Sequence, residues 1–174
     1  MSKKNILLTA DVILMIFLIV IDQITKYFAV LNLKGVSSWV LWDGVFELHY
    51  LENRGAAFGI LQDQKMIFIL IAVVVLAVIF YVLFKAPYQK MYSKLHISLI
   101  LIAAGAIGNL IDRVRLGYVV DFFYFSLINF PVFNVADIYV TVSSFYLVIL
   151  LLFVYKESDL EFLAFKTKKN KGLS

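Results

Sequence analysis

Asp121 and Asp137 are the residues of this 174-residue chain best equipped for chemistry. The first lies in Gly117-Tyr118-Val119-Val120-Asp121-Phe122. The second closes Phe133-Asn134-Val135-Ala136-Asp137, at the mouth of a long apolar run. Ionisable groups at membrane depth are costly and are functional candidates by default. Two carboxyls in one site are the minimum equipment for acid/base hydrolysis by water. Like charges a few ångströms apart cannot both ionise cheaply, so a desolvated pair shares one proton near neutral pH. The ionised partner then takes a proton from water while the protonated one polarises a carbonyl. A tetrahedral diol forms, and a proton passes to the leaving nitrogen. Which aspartate starts ionised is left open by the sequence.

The elements that must bring these residues together are membrane helices. The chain is 63% hydrophobic, rich in Phe and Tyr and poor in Pro, where a soluble domain is about half apolar. Four apolar segments stand out: about Ile6–Tyr27, Met66–Phe84, Leu95–Ile111 and Ala136–Tyr155. At about 1.5 Å per residue each reaches roughly 25–33 Å, enough to cross a hydrocarbon core. The third is expected to be the shortest and least tilted. Lys3, Lys4, Lys85, Lys90, Lys94, Lys156, Lys166, Lys168, Lys169 and Lys171 then fall on one side. The positive-inside rule puts that side, and both termini, in the cytoplasm. No small-x-small cleavage site follows the first span, so it is expected to stay uncleaved.

One domain is therefore expected, 1–174, with outer segments 32–65 and 112–133 and a basic cytoplasmic tail, 156–174. The tail is read as solvated or touching anionic membrane phospholipid. The alternation in Val45–Glu52 and the run Val119–Phe123 predict short strands forming a small extracytoplasmic β platform. Trp39, Trp42 and Tyr50 suit the membrane–water boundary. Absence of Cys excludes disulfides and thiol catalysis. The net charge of +4 is spread beside apolar spans and does not suggest nucleic-acid binding. His49 and His96 fall on opposite sides and no HExxH is present, so neither a metal nor another cofactor is expected.

The other unusual polar residues map to the outer end. Asp22 and Lys26 are i,i+4, acid first, and are read first as a structural ion pair. Asn53 and Asn134 serve either as caps at helix starts or as site residues. Gly105, Asn109 and Asp112 share one helical face, with Arg113 four residues after Asn109; Asp112 and Arg113 either pair locally or meet lipid headgroups, and Arg113 alternatively stands at a functional edge. Ala104–Gly108 and Gly55–Gly59 have small-xxx-small spacing, read as packing. Asp11 lies three turns before Asp22, near the inner end, reaching either the inner interface or a neighbouring helix and without a catalytic role. An ion- or proton-coupled transporter is the competing class, but transporters place polar groups near the midplane and often show repeats. A structural subunit would need no second carboxylate.

Four blocks carry a resemblance: Asp22-Gln23-x-Thr25-Lys26; Asn53-x-Gly55-Ala56-Ala57-Phe58-Gly59; Gly108-Asn109-x-x-Asp112-Arg113-x-x-x-Gly117-x-Val119-Val120-Asp121-Phe122; and Pro131-x-Phe133-Asn134-x-Ala136-Asp137. In order and spacing they resemble the lipoprotein signal peptidases, or signal peptidase II. The resemblance implies an aspartic endopeptidase of the bacterial plasma (inner) membrane, active near the extracytoplasmic face. Such enzymes remove signal peptides from diacylglyceryl-modified prolipoproteins, cutting before the lipidated cysteine, and are targets of cyclic peptide antibiotics such as globomycin. It implies Asp121 and Asp137 as the catalytic pair. Asn53, Asn109, Arg113, Asn134, Asp112, Asp22 and Lys26 fall on the family's other invariant polar positions. A monomer is expected. One departure is Ile138, where the family often has Ser. Trp39, Trp42, Phe58 and Tyr139 are expected to wall the site, and the first outer loop, with Gly55 and Gly59, to act as its lid.

Overall fold

The structure, a computed structural model, describes residues 3–55 and 63–164. Phe58, Gly59 and the tail lysines Lys166–Lys171 lie outside the described residues, as does the 56–62 part of the first outer loop expected to act as a lid. Four long helices dominate: α1 (Lys3–Leu33), α2 (Lys65–Lys85), α3 (Ser93–Arg115) and α4 (Val135–Ile149), the last continued by a π-helical turn over Leu150–Val154. Each is long and apolar enough to cross a membrane. The chain of α2 is rich in Val and Ile, which are weak helix formers in water. In hydrocarbon the demand that every backbone polar group be paired within the segment outweighs that preference. The helix stops at Lys85, where Ala86 turns extended ahead of Pro87.

The third span is not the shortest. It covers 26 residues, Lys90–Arg115, against 21 for the second and 20 for the fourth. The apolar run ends at Ile111, but the helix continues because Asp112 finds partners inside the protein rather than in lipid. This helix is also the hub. Inside the apolar window of α3, 61% of residues are buried, against 11% in each of the other three helices. Its small residues make this possible. A Cβ on Gly105 would stand 2.5 Å from the carbonyl oxygen of Ala136 on α4, and a Cβ on Gly108 would strike the Asp22 carboxylate of α1. Of the Ala104–Gly108 spacing read as packing, Gly108 seats a charge, while close packing on α4 falls at Gly105 beside it.

The expected platform is a three-stranded antiparallel sheet in sequential order, β1 (Trp39–Trp42), β2 (Phe46–Asn53) and β3 (Val119–Tyr124). The predicted runs Val45–Glu52 and Val119–Phe123 thus form strands within a residue or so of their expected ends. Leu51 faces Asp121 in the register, and Asn53 faces Val119. Gly117, at φ +87°, turns the chain from α3 into β3 in the left-handed region that glycine tolerates. The buried Val120 and Phe122 pack on Ala29 and Leu33 of α1, so the sheet is fastened to the end of the first helix. A bridge between Phe123 and Phe133 then leads the chain from the sheet to the start of α4. At the opposite end, Leu95, Leu99 and Ile102 of α3 pack with Leu76, Ile79, Leu150 and Tyr155.

Replacing Gly105 by Val should destabilise the protein by about 1–3 kcal/mol, the usual cost of overpacking. Thermal unfolding in detergent would show it as a lowered midpoint.

Candidate active site

The C-terminal ends of α1 and α3, strand β3 and the first turn of α4 meet around a buried polar cluster. Its foundation is Lys26. The ammonium lies 2.9 Å from Asp22 Oδ2, 3.1 Å from Asp112 Oδ2 and donates to Asn109 Oδ1 at 2.8 Å. A lysine has three donors and no acceptor, and all three are used. Both ends of the Asp22–Lys26 pair are buried, at 0% and 3% exposure, so the pair is tied into the interior rather than laid on a helix surface.

The two flanking carboxylates organise backbone. Asp22 Oδ1 accepts from the Ala136 amide of α4 at 3.0 Å, and Asp112 Oδ2 accepts from the Val120 amide of β3 at 3.2 Å. Asp112 therefore pairs with Lys26 rather than locally with Arg113. Gln23 Nε2 closes the cluster, donating to Asp22 Oδ2, to Asp112 Oδ1 and to the carbonyl of Gly108. Gln23 has no role in the sequence reading. Its only signal there is its place between two residues of one motif, and helical periodicity alone does not turn it toward the same partners.

Above this base stand Asp121 and Asp137. Asp137 is the third residue of α4, and Asn134 is its N-cap. The Asn134 side chain accepts from the Asp137 amide at 3.0 Å, while Asp137 Oδ2 accepts from the Asn134 amide at 3.1 Å, a reciprocal capping box. Asp137 Oδ1 accepts from Asn109 Nδ2 at 2.8 Å. Asp121, only 1% exposed, accepts from Asn134 Nδ2 at 2.6 Å and from Asn53 Nδ2 at 2.8 Å. Asn53 is held in turn by the Gly55 amide, which donates to its Oδ1. Asn134 thus touches both acids, acting as cap and site residue together. Burial, and next the charge of Asp137, push the Asp121 carboxyl up to about 7, against the opposing hydrogen bonds of Asn53 and Asn134.

Every polar residue singled out at the outer end of the sequence is in this cluster except Arg113, which stands at its edge. Its guanidinium lies 4.9 Å from the centre of the Phe68 ring and acts electrostatically on both acids. Among the described residues no group of three or more His, Cys, Asp or Glu is arranged to hold a metal ion. His49 lies instead on the sheet, 2.8 Å from Ser38.

A cavity of about 470 Å³ opens beside the acids. Asn53, Arg113, Asp121 and Asp137 form its polar end, and Phe68 of α2 and Val142 of α4 line its apolar flanks. Phe130 and Phe133 supply further aromatic wall, and Ile138 lines it where a serine would add a hydroxyl. Trp39, Trp42 and Tyr139 are not part of this lining. The tryptophans stand out on β1, 49% and 68% exposed. Interfacial aromatics and site aromatics look alike in sequence, and only the course of the chain separates them.

Such a fold and such a site define a small four-span membrane protein with paired acids at one end of its bundle. Comparison with known proteins takes the class further. The family model described as signal peptidase (SPase) II matches residues 14–153. Proteins named lipoprotein signal peptidase are similar over nearly their whole length. The one from Clostridioides difficile is 45% identical over 147 residues, 84% of this chain and 97% of that protein. The one from Caldanaerobacter subterraneus is 46% identical over 143 residues, 82% and 95%. The one from Streptococcus pneumoniae is 42% identical over 157 residues, 89% and 96%. A bacterial membrane enzyme solved by the in meso method superposes with a TM-score of 0.72 at 29% identity, covering 95% of each chain. The chain belongs to the signal peptidase II family. It is a multi-pass membrane enzyme, a lipoprotein signal peptidase of the aspartic endopeptidase type.

Replacing Lys26 by Met leaves Asp22 and Asp112 buried without their cation. A loss of about 3–5 kcal/mol is expected, as when one partner of a buried pair is removed. Thermal unfolding of the purified protein should register it, with Asp121→Asn as a control that keeps its fold.

Proposed function

We propose that the chain cuts the peptide bond just before the lipidated cysteine of diacylglyceryl prolipoproteins, using Asp121 and Asp137 to activate water. The observation that carries this is the single residue Asn134 hydrogen-bonded to both carboxyls, beside a cavity with one polar and one apolar end. An apolar signal helix and its attached acyl chains can enter laterally from lipid, while water reaches the polar end from the surface.

The surroundings of the acids favour a division of labour. Asn109 must turn its carbonyl oxygen to Lys26, since an ammonium only donates. Its NH₂ therefore faces Asp137, polarised by the charge behind it. Asp137 also sits in the first turn of a helix, where the backbone dipole favours an anion. Asp121 has neutral side-chain amides as its donors. Asp137 is accordingly the base and Asp121 carries the proton. Water oxygen attacks the carbonyl carbon as Asp137 takes a water proton, and Asp121 gives its proton to the carbonyl oxygen. In collapse the C–N bond breaks, the nitrogen takes the proton from Asp137, and Asp121 recovers one from the diol. Arg113 and Asn53, at the cavity's polar end, are suited to hold substrate backbone.

The lysine-rich end of the bundle is proposed to face the cytoplasm, putting the acids near the extracytoplasmic face of a bacterial plasma membrane. Cyclic peptides that mimic the substrate, globomycin among them, would occupy the same cavity. The protein is proposed to work as a monomer.

Asp121→Asn and Asp137→Asn should each abolish cutting of a diacylglyceryl-modified prolipoprotein while leaving the protein folded; substantial activity in either variant would sink the assignment. Unlipidated precursor should be cut far more slowly. The pH profile supplies a separate check. The active form has Asp121 protonated, so kcat/KM should fall as pH rises through about 7, by about tenfold per unit once well above it. A flat profile from pH 6 to 9 would contradict the assignment of Asp121 as the acid.

A further inference from the structure

The end of the bundle remote from the acids holds a second polar group that the chemistry above does not use. Asp11 lies two turns into α1, where a charge is unexpected in an apolar helix. Its Oδ2 is 3.1 Å from Nδ1 of His96 on α3. His96 is buried, 5% exposed, and its Nε2 has no hydrogen-bond partner among the described residues. The Tyr88 ring lies 4.5 Å from the His96 ring, and the Tyr88 phenol is pushed up by burial and by the charge of Asp11.

Two cavities meet at this group, with Asp11 and Tyr88 on the border of both. One, of about 550 Å³, is polar at its rim, where Lys90, Gln89 and Ser93 join Asp11 and His96. The other, of about 280 Å³, runs between α1 and α2. Leu8, Val12 and Met15 form one wall, Phe80 and Leu83 the other, and Ile100 of α3 lies among its lining. The pair has the form of an amphiphile, with a polar chamber near the surface and an apolar slot along the helices.

The charges narrow the occupant. A carboxylate has about four lone-pair sites, and His96 and the Tyr88 phenol take up part of that capacity on Asp11. His96 donates Nδ1–H to Asp11 and holds that carboxylate in place, while its Nε2 stays buried. A primary ammonium offers three donors and a positive charge, and an aromatic ring face such as that of Tyr88 also favours a cation. Lys90 and the Ser93 hydroxyl suit a phosphate. We infer that this end of the protein is a binding site for an amine-bearing phospholipid, with ammonium at Asp11, phosphate at Lys90 and one acyl chain between α1 and α2.

The test is lipid retention by the purified full-length protein, measured by native mass spectrometry. The probes are dioleoyl phosphatidylethanolamine, phosphatidylglycerol and phosphatidylcholine, alike in chains and differing in headgroup. Phosphatidylethanolamine should be retained about tenfold better than phosphatidylcholine, whose trimethylated nitrogen has no N–H to donate; a charge-assisted hydrogen bond is worth about that much. Lys90→Ala, at an exposed position that leaves the fold intact, should weaken retention several-fold. Asp11→Ala should erase the difference between headgroups. Equal retention of all three lipids would overturn the site and show annular lipid only. Equal retention of phosphatidylglycerol and phosphatidylethanolamine would overturn the ammonium assignment. Undiminished retention by Lys90→Ala would overturn the phosphate contact, whether or not the Asp11 variant folds. None of these outcomes depends on proteolysis, so they stand apart from the fate of the Asp121–Asp137 proposal.

Discussion

A buried cation that must find three acceptors is the constraint from which the acid-bearing half of this protein follows. Lys26 cannot remain charged at 3% exposure unless Asp22, Asp112 and Asn109 surround it. Those three come from two helices, so meeting the demand sets the rotation of α1 against α3. The carboxylates then have capacity left over, and they use it on backbone: Asp22 on the start of α4 and Asp112 on the middle of β3. Each of those amides lies next in sequence to one of the two candidate catalytic acids. Breaking the pair would leave uncompensated charge in a low-dielectric interior, which is far worse than never having buried it. The network therefore supplies uniqueness of arrangement more than net stability.

The same constraint gives two chemically identical side chains different surroundings. Asp137 receives a backbone amide, a helix N-terminus and an amide polarised by Lys26. Asp121 hangs from a buried strand and is served by two neutral side-chain amides. A pair of acids with symmetrical neighbours would have no preferred proton position. Here the asymmetry is built from residues a layer below the acids, in helices that face lipid on their other sides. The outer sheet matters for the same reason. It carries Asn53 and Asp121 on neighbouring strands, and the packing of Val120 and Phe122 on α1 fixes how far above the bundle they sit.

Much of this was legible because charge is rare in a chain so apolar. Asp22, Lys26, Asn109, Asp112, Asp121 and Asp137 stood out by type, and four spans with alternating polarity sufficed to put them at one end. The strands showed by their alternation. Illegible were contacts made by backbone, such as the amides of Val120 and Ala136, since every residue has one. Gln23 was hidden for a related reason: its partners lie on another helix and depend on the Asp22–Lys26 geometry. The end of α3 was misjudged because Asp112 and Arg113 look like the edge of lipid, when Asp112 belongs to the floor of the cluster and Arg113 to its edge. Site walls from Phe68, Phe130 and Phe133 could not be told from the many other aromatics. Gly108 looked like helix packing, and what it admits is a carboxylate.

Asn134 joins two tasks that most enzymes keep apart. It starts α4 and it holds both acids. Helix ends fray, and an opening of this first turn would release Asp137 from its reciprocal hydrogen bonds and Asp121 from its shortest one. The start of α4 and the placing of both acids thus share one residue, and loosening the first turn loosens the hold on each of them. Whatever occupies the cavity and touches Asp137 acts as a helix cap as well as a ligand.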